Sequence, residues 1–226
     1  MFEALLGILR EFRSGGGHQY CIDWNILNTA DYGVPQNRPR IYVVCIRSDA
    51  LQNPLQWPTK LPRSECQSLD DLLGPWRPYA PEKTLPPPTA TTVRANVLAG
   101  LAYLRQKGIN PFKETWILNV DESPERMPKP WQGWSPCLTR ARALRGGHWV
   151  SSHGGRMGTK TMLKLQSMNP NRVRKPDDVA TGSFNGMIGN AMSVNIVETI
   201  LAMLSRACPK ALGIEKPLSC QYATFV

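Results

Sequence analysis

Apolar residues at Phe2, Leu5, Leu6, Leu9 and Phe12 recur at helical spacing and predict an amphipathic helix over 2–12. Ser14-Gly15-Gly16-Gly17 ends it. The run Tyr20-Cys21-Ile22-Asp23-Trp24-Asn25-Ile26-Leu27 is rich in strand formers and predicts a strand over 20–27. A loop over 28–40 leads to a second strand over 41–46, Ile41-Tyr42-Val43-Val44-Cys45-Ile46, where a buried, reduced Cys45 thiol is expected. From 47 to 134 the periodicity fades and prolines gather at Pro54, Pro58, Pro62, Pro75, Pro78, Pro81 and Pro86-Pro87-Pro88. Within this segment Val97, Leu98, Leu101 and Leu104 predict a helix over 93–107, and Ser68-Leu69-Asp70-Asp71-Leu72-Leu73-Gly74 a short capped one. The aromatics Trp57, Trp76, Tyr79, Tyr103, Phe112, Trp116, Trp131 and Trp134 predict that this loop-rich insert is ordered around a small core of its own. Beyond Ser135 a helix is expected over 159–168. A stronger one is expected over 193–207, with Val194, Val197, Ile200, Leu201 and Leu204 as its stripe. The residues from Pro209 read as a tail.

The chain has 226 residues, 42% hydrophobic and 19% charged, which is ordinary globular material. No run approaches the roughly 18 consecutive apolar residues of a spanning helix, which argues against an integral membrane protein. Its first residues lack the pattern of a secretory signal. Twenty-seven Lys and Arg against 17 Asp and Glu leave a net charge of +10, pointing to a polyanionic partner, nucleic acid first. The 6 cysteines are widely spaced and the 3 histidines scattered, so no metal site is expected and a reducing compartment is.

The segment Asp31-Tyr32-Gly33-Val34-Pro35-Gln36-Asn37-Arg38-Pro39-Arg40 carries the most chemistry. At a period of two, Gln36, Arg38 and Arg40 share one face at the mouth of a strand. Two guanidiniums and an amide there form a donor array for a phosphate or a base carbonyl. On the residues alone, arginines paired with acidic neighbours fit as well.

This segment closely resembles the Gln-x-Arg-x-Arg motif of the DNA cytosine-5 methyltransferases, together with its lead-in and the apolar strand that follows. Ile188-Gly189-Asn190-Ala191-Met192-Ser193-Val194, ahead of an amphipathic helix, resembles the family's last motif. Ser135-Pro136-Cys137-Leu138-Thr139-Arg140 and the helix over 159–168 resemble the penultimate motif more loosely. That helix ends in Gln166-Ser167-Met168-Asn169-Pro170 where the family has Gln-Gly-Phe-Pro. The resemblance implies an α/β fold: the edge of a Rossmann-like, S-adenosylmethionine-dependent methyltransferase sheet with a target-recognition domain inserted. Residues 1–47 would form the last strands and a helix of the catalytic domain, and 48–134 the insert. Residues 135–207 would carry the last two motifs, and 208–226 the tail.

The family's Phe-x-Gly-x-Gly cofactor loop, Pro-Cys-Gln nucleophile and Glu-Asn-Val acid are missing from the sequence. Pro136-Cys137 lies after the Gln-x-Arg-x-Arg motif and leads into Leu-Thr, so it belongs to the penultimate motif and is not a nucleophile. Gly186 and Gly189 follow no strand and make no phosphate loop. Family chemistry adds a thiolate to carbon-6 of an extruded cytosine, holds nitrogen-3 with an acid and supports the exocyclic oxygen. The resemblance implies that Arg40 contacts oxygen-2 of the cytosine, with Arg38 and Gln36 supporting the loop. It implies that Asn190, Ala191 and Met192 line the S-adenosylmethionine pocket, and that Arg140, Arg142, Arg145 and Arg156 meet double-stranded DNA. The expectation is the C-terminal portion of a DNA (cytosine-5-)-methyltransferase, intracellular and DNA-associated in nucleus or nucleoid. It would be inactive without a complementary N-terminal half, from the same gene or a separate subunit. Without that half the strands would expose an unpaired edge and an apolar face. A non-catalytic DNA-binding remnant and a tRNA cytosine-5 methyltransferase are the alternatives.

Overall fold

The N-terminal helix α1 (Phe2–Glu11) leads into β1 (Tyr20–Asn28), which pairs antiparallel with β2 (Pro39–Arg47) along its whole length, from Tyr20 opposite Arg47 to Asn28 opposite Pro39. The computed structural model describes residues 1–74, 85–123 and 129–223, so Pro75, Trp76, Pro78, Tyr79 and Pro81 lie outside the described residues. Both strands exceed their predicted lengths. Cross-strand partners share a face, so the hairpin has two distinct surfaces. Val44 and Ile46 turn toward Met203, Ala207 and Cys208, and Leu27 and Tyr42 join Tyr32 and Ile196. The other surface carries Ile22 opposite Cys45, Trp24 opposite Val43 and Ile26 opposite Ile41. Of this face α1 covers only a part, the Phe2 ring meeting Trp24 edge-on at 4.9 Å. Cys45 is therefore exposed rather than buried as expected, because it lies on the surface that α1 covers only in part.

Between the strands the chain makes a 3-10 turn, Thr29–Tyr32, capped by the Asn28 side chain accepting from the Ala30 N–H. Gly33 closes the turn at φ +92°, a left-handed conformation, and a Cβ there would lie 3.0 Å from the Tyr222 ring.

The insert begins with α2 (Leu69–Leu73), which Ser68 caps and Gly74 ends, as the sequence predicts. α3 (Thr91–Gln106) presents Val97, Leu101 and Leu104 to Leu118, Val120 and Trp149, giving this region a core of its own. A four-stranded antiparallel sheet is built from β3 (Trp116–Leu118), β4 (Trp131–Gln132), β5 (Trp149–Val150) and β6 (Gly155–Arg156) in the order β4-β3-β5-β6. It draws strands from both sides of Ser135. Trp57 leaves the insert for the hairpin, its indole N–H donating to Asp23 at 2.9 Å. Trp134 stacks beneath the Arg63 guanidinium, 3.5 Å from ring centroid to carbon.

The C-terminal part holds α4 (Arg140–Leu144), α5 (Gly158–Leu165), α6 (Thr181–Asn190) and α7 (Val194–Ala207). Val34, Leu69, Leu72, Ile117, Leu138, Leu165, Phe184 and Ile188 form a cluster joining insert, hairpin loop and these helices. α4 and α6 cross closely, and glycines make the approach possible. A Cβ on Gly189 would stand 2.5 Å from the Thr139 carbonyl oxygen and 2.6 Å from the Ala143 Cβ. Thr181–Ala207 is 27 residues with a mean hydropathy of 1.5, long and apolar enough to cross a membrane by composition alone. It is two packed helices: Ala191 is extended, at ψ 156°, and buried Asn185, Asn195, Thr199 and Ser205 all hydrogen-bond within the fold. The segment read as a tail folds back, with the Leu218 N–H on the Ser205 hydroxyl and Ala223 buried beside Leu27 and Ile196.

Candidate functional site

Four segments far apart in sequence meet at the mouth of β2: residues 28–40, 135–139, 165–167 and 188–195. They are joined through buried side chains rather than through a sheet. Gln36 is fully buried; its amide donates to the Leu165 carbonyl at 2.6 Å and its carbonyl accepts from the Leu138 N–H at 2.9 Å. Backbone bonds flank it, from Asn37 N–H to the Ser135 carbonyl and from Ser135 N–H to the Pro35 carbonyl, each 2.8 Å.

Arg38, only 6% exposed, is the hub. Its Nη1 donates to the Leu138 carbonyl at 2.8 Å, both Nη atoms reach the Gly189 carbonyl at 3.3 Å, and Nη2 donates to the Ala191 carbonyl at 2.9 Å. Burial pushes its pKa below the ordinary arginine value, with the neighbouring Cys137 thiol partly offsetting this. A guanidinium stays charged in a protein, so these carbonyl dipoles are what stabilise it. One side chain thereby fixes the spacing between the loop at Leu138 and the loop at Gly189–Ala191.

A second relay backs the first. Gln166 donates to the Ile188 carbonyl at 3.0 Å and accepts from the Ser193 hydroxyl at 2.7 Å, and Thr29 donates to that hydroxyl at 3.0 Å. Asn195 donates to the carbonyls of Thr29 and Tyr32 at 3.2 and 2.7 Å. Ser167, where the resembling motif has glycine, holds a left-handed φ of 56°, and its hydroxyl pairs with that of Tyr222 at 3.1 Å.

Arg40 is exposed at the edge of this assembly. Nη1 donates to the Pro39 carbonyl at 2.7 Å and Nη2 to Cys137 Sγ at 3.3 Å. Cys137 also accepts from Arg38 Nη1 at 3.5 Å. Gln36, Arg38 and Arg40 thus all face the 137–138 loop, as the period of two requires. Among the described residues neither Arg38 nor Arg40 has a carboxylate partner. Next to the Gly189 and Ala191 carbonyls that Arg38 holds, Asn190 and Met192 are exposed, Met192 at 63%.

The other sequence-selected arginines divide. Arg142 is ion-paired with Glu122, which also accepts from Asn119, and Arg156 grips both oxygens of the buried Asp121 at 3.0 and 2.6 Å. Arg145 is 59% exposed and approaches Asp121 only at 3.7 Å, and Arg140 is exposed. Behind the 137–138 loop lies His148, 1% exposed, with no hydrogen bond of normal geometry to either ring nitrogen among the described residues. No local pattern sets His148 apart from the other scattered histidines, and Gln166 is marked only by its place in a loosely matching motif.

Taken together, these segments form a mixed α/β fold in which a buried arginine, braced by backbone carbonyls, stands beside an exposed one. Over 91% of its length the chain matches a solved structure titled as an analysis of the Entamoeba histolytica methyltransferase EhMeth, at a TM-score of 0.51 and 14% identity, covering 57% of that chain. The family model for C-5 cytosine-specific DNA methylase matches residues 3–206, and the chain belongs to that family. It is 27% identical over 197 residues to the type II methyltransferase M.NgoBI of Neisseria gonorrhoeae, covering 84% of this chain and 52% of that protein. It is 31% identical over 88 residues, 36% of this chain and 34% of the relative, to the type II methyltransferase M.AquIA of Picosynechococcus. The chain spans about half the length of the Neisseria protein and less of the Picosynechococcus one.

Proposed function

We propose that this chain forms the C-terminal half of a DNA cytosine-5 methyltransferase, which transfers a methyl group to carbon-5 of a cytosine flipped out of double-stranded DNA. The observation that carries the reading is Arg38: it ties the Gln-x-Arg-x-Arg segment directly to the Gly189–Ala191 loop, which supports a base contact and a cofactor loop held next to each other. Arg40, charged and without a carboxylate partner among the described residues, donates to oxygen-2 of the cytosine and stabilises negative charge there. Asn190, Ala191 and Met192 would hold S-adenosylmethionine, with an amide for its polar groups and a small and a thioether side chain for its apolar surface, and none of the three is buried. Bound there, that cofactor supplies the methyl group as a sulfonium.

The nucleophilic cysteine and the acid come from a complementary half carrying the Pro-Cys and Glu-Asn-Val motifs, on the same polypeptide or another. That half seats on the open hairpin face, Ile22, Trp24, Ile26, Ile41, Val43 and Cys45, with α1 beside it. The insert reads the DNA, and the exposed Arg140 and Arg145 meet its phosphates while Arg142 and Arg156 brace the insert through Glu122 and Asp121. The protein works where DNA is.

Methyl transfer from labelled cofactor to duplex DNA, by this chain assembled with such a half, tests the reading. Arg40→Ala lowers transfer by on the order of 100-fold, since it removes a donor aimed at developing charge. Salt-sensitive duplex binding with no methyl transfer from any soluble assembly would mark a non-catalytic DNA-binding module instead.

A further inference from the structure

Resting on that reading, we infer that Cys137 is the positioning residue for Arg40, its sulfur aiming the guanidinium at the extruded base. Arg40 is exposed and flexible by type, and a free arginine loses considerable rotamer entropy on being fixed. Among the described residues two contacts restrain it: the carbonyl of the preceding residue, Pro39, and Cys137 Sγ at 3.3 Å on the facing loop. Only the second relates Arg40 to a distant segment of the chain.

That segment is itself anchored. The residue after Cys137 is held twice, its N–H by Gln36 at 2.9 Å and its carbonyl by Arg38 at 2.8 Å, and Arg38 reaches the same sulfur at 3.5 Å. The sulfur therefore sits at a fixed place between two cations.

Sulfur suits the task because it is a weak acceptor. A carboxylate at this position would capture Arg40 in a charge-assisted pair and withhold it from substrate. An alkyl side chain would leave it unaimed. A thiol orients the guanidinium and yields it to the stronger carbonyl acceptor of the base. Cys137 needs no covalent chemistry for this.

The test is a double-mutant cycle on methyl transfer by the assembled enzyme. Cys137→Ala lowers kcat on the order of 3- to 10-fold, as loss of one ordinary hydrogen bond would, sulfur being a weak acceptor. KM for the cofactor does not change. Cys137→Ser, which keeps an acceptor, restores most of the rate, and Cys137→Asp falls below Cys137→Ala. In an Arg40→Ala background, Cys137→Ala has almost no further effect, because its target is gone. Equal losses in both backgrounds would show a merely structural thiol and overturn the proposal. So would an unaffected Cys137→Ala enzyme beside a crippled Arg40→Ala one. An Arg40→Ala enzyme of undiminished activity, or no transfer from any assembly, overturns instead the reading on which the proposal stands.

Discussion

Arg38 and His148 are basic groups flanking the Cys137 loop, both taken out of water, and the fold treats them oppositely. Arg38 keeps its charge because backbone carbonyls surround it. His148 lacks the set of carbonyls that surrounds Arg38, and its pKa falls from 6.5 to about 4, chiefly through burial and then through the Arg142 guanidinium. The Cys137 backbone and Asp121 oppose the fall, and Arg156 adds to it. A folded-state pKa below the unfolded one means that the unfolded chain binds the extra proton between these two values. Stability is therefore fully present above pH 6.5 and declines as pH drops toward 4. At pH 5 the loss from this residue alone is about 2 kcal/mol. Urea unfolding at pH 7 and pH 5 should show His148→Leu losing about that much less than the unsubstituted protein. Equal losses in the two proteins would dismiss the buried imidazole as the cause.

Among the elements, those with a strong local pattern were legible: α1, β1, β2, α2, α3 and α7 all lie within a few residues of where spacing and caps put them. α4 and α6 were not. α4 is 5 residues long, too short to show a period, and α6 carries Gly182, Gly186 and Gly189, which disfavour a helix on intrinsic grounds. What makes α6 helical is tertiary: its glycines let α4 approach. The strands β3 to β6, two or three residues each, depend on Trp149 and Ile117 being buried from several directions, which no short window encodes. At the site, the motif residues were legible but their division of labour was not: alternation put Gln36, Arg38 and Arg40 on one face without telling that only Arg40 reaches solvent. The glycine argument is testable. Gly189→Ala drives a methyl into the Thr139 carbonyl and should destabilise by about 2–4 kcal/mol. Gly186→Ala meets only side chains, the nearest 3.6 Å away, and should be neutral or stabilising by up to about 1 kcal/mol through helix propensity. Thermal melts showing equal effects at the two positions would refute close packing at Gly189.

At the scale of the whole molecule the fold is lopsided. The insert, the last two motifs and one hairpin face share a continuous set of apolar clusters, whereas the other hairpin face ends in open side chains. Ile26 and Ile41, direct cross-strand partners, are 54% and 51% exposed, and Trp24 beside them 38%. A two-stranded sheet is marginal by itself, and contiguous apolar exposure of this kind marks a surface made to be covered. The occupant proposed for it is the complementary half, since the chain matches about half of its Neisseria relative. If that occupant is the half with the nucleophile, a charge placed on this face has opposite effects on the parts and on the whole. Ile41→Asp removes exposed apolar surface, so the separate chain becomes more soluble, with its own stability changed by about 0.5 kcal/mol or less. The same carboxylate buried at the seam weakens association by about 2 kcal/mol or more, at least 10-fold in affinity, and methyl transfer falls with it at limiting concentrations. Raising the concentration of the complementary half restores the rate, because Arg38 and Arg40 are untouched. An Ile41→Asp chain that assembles and turns over like the unsubstituted one would mean that the catalytic half docks elsewhere.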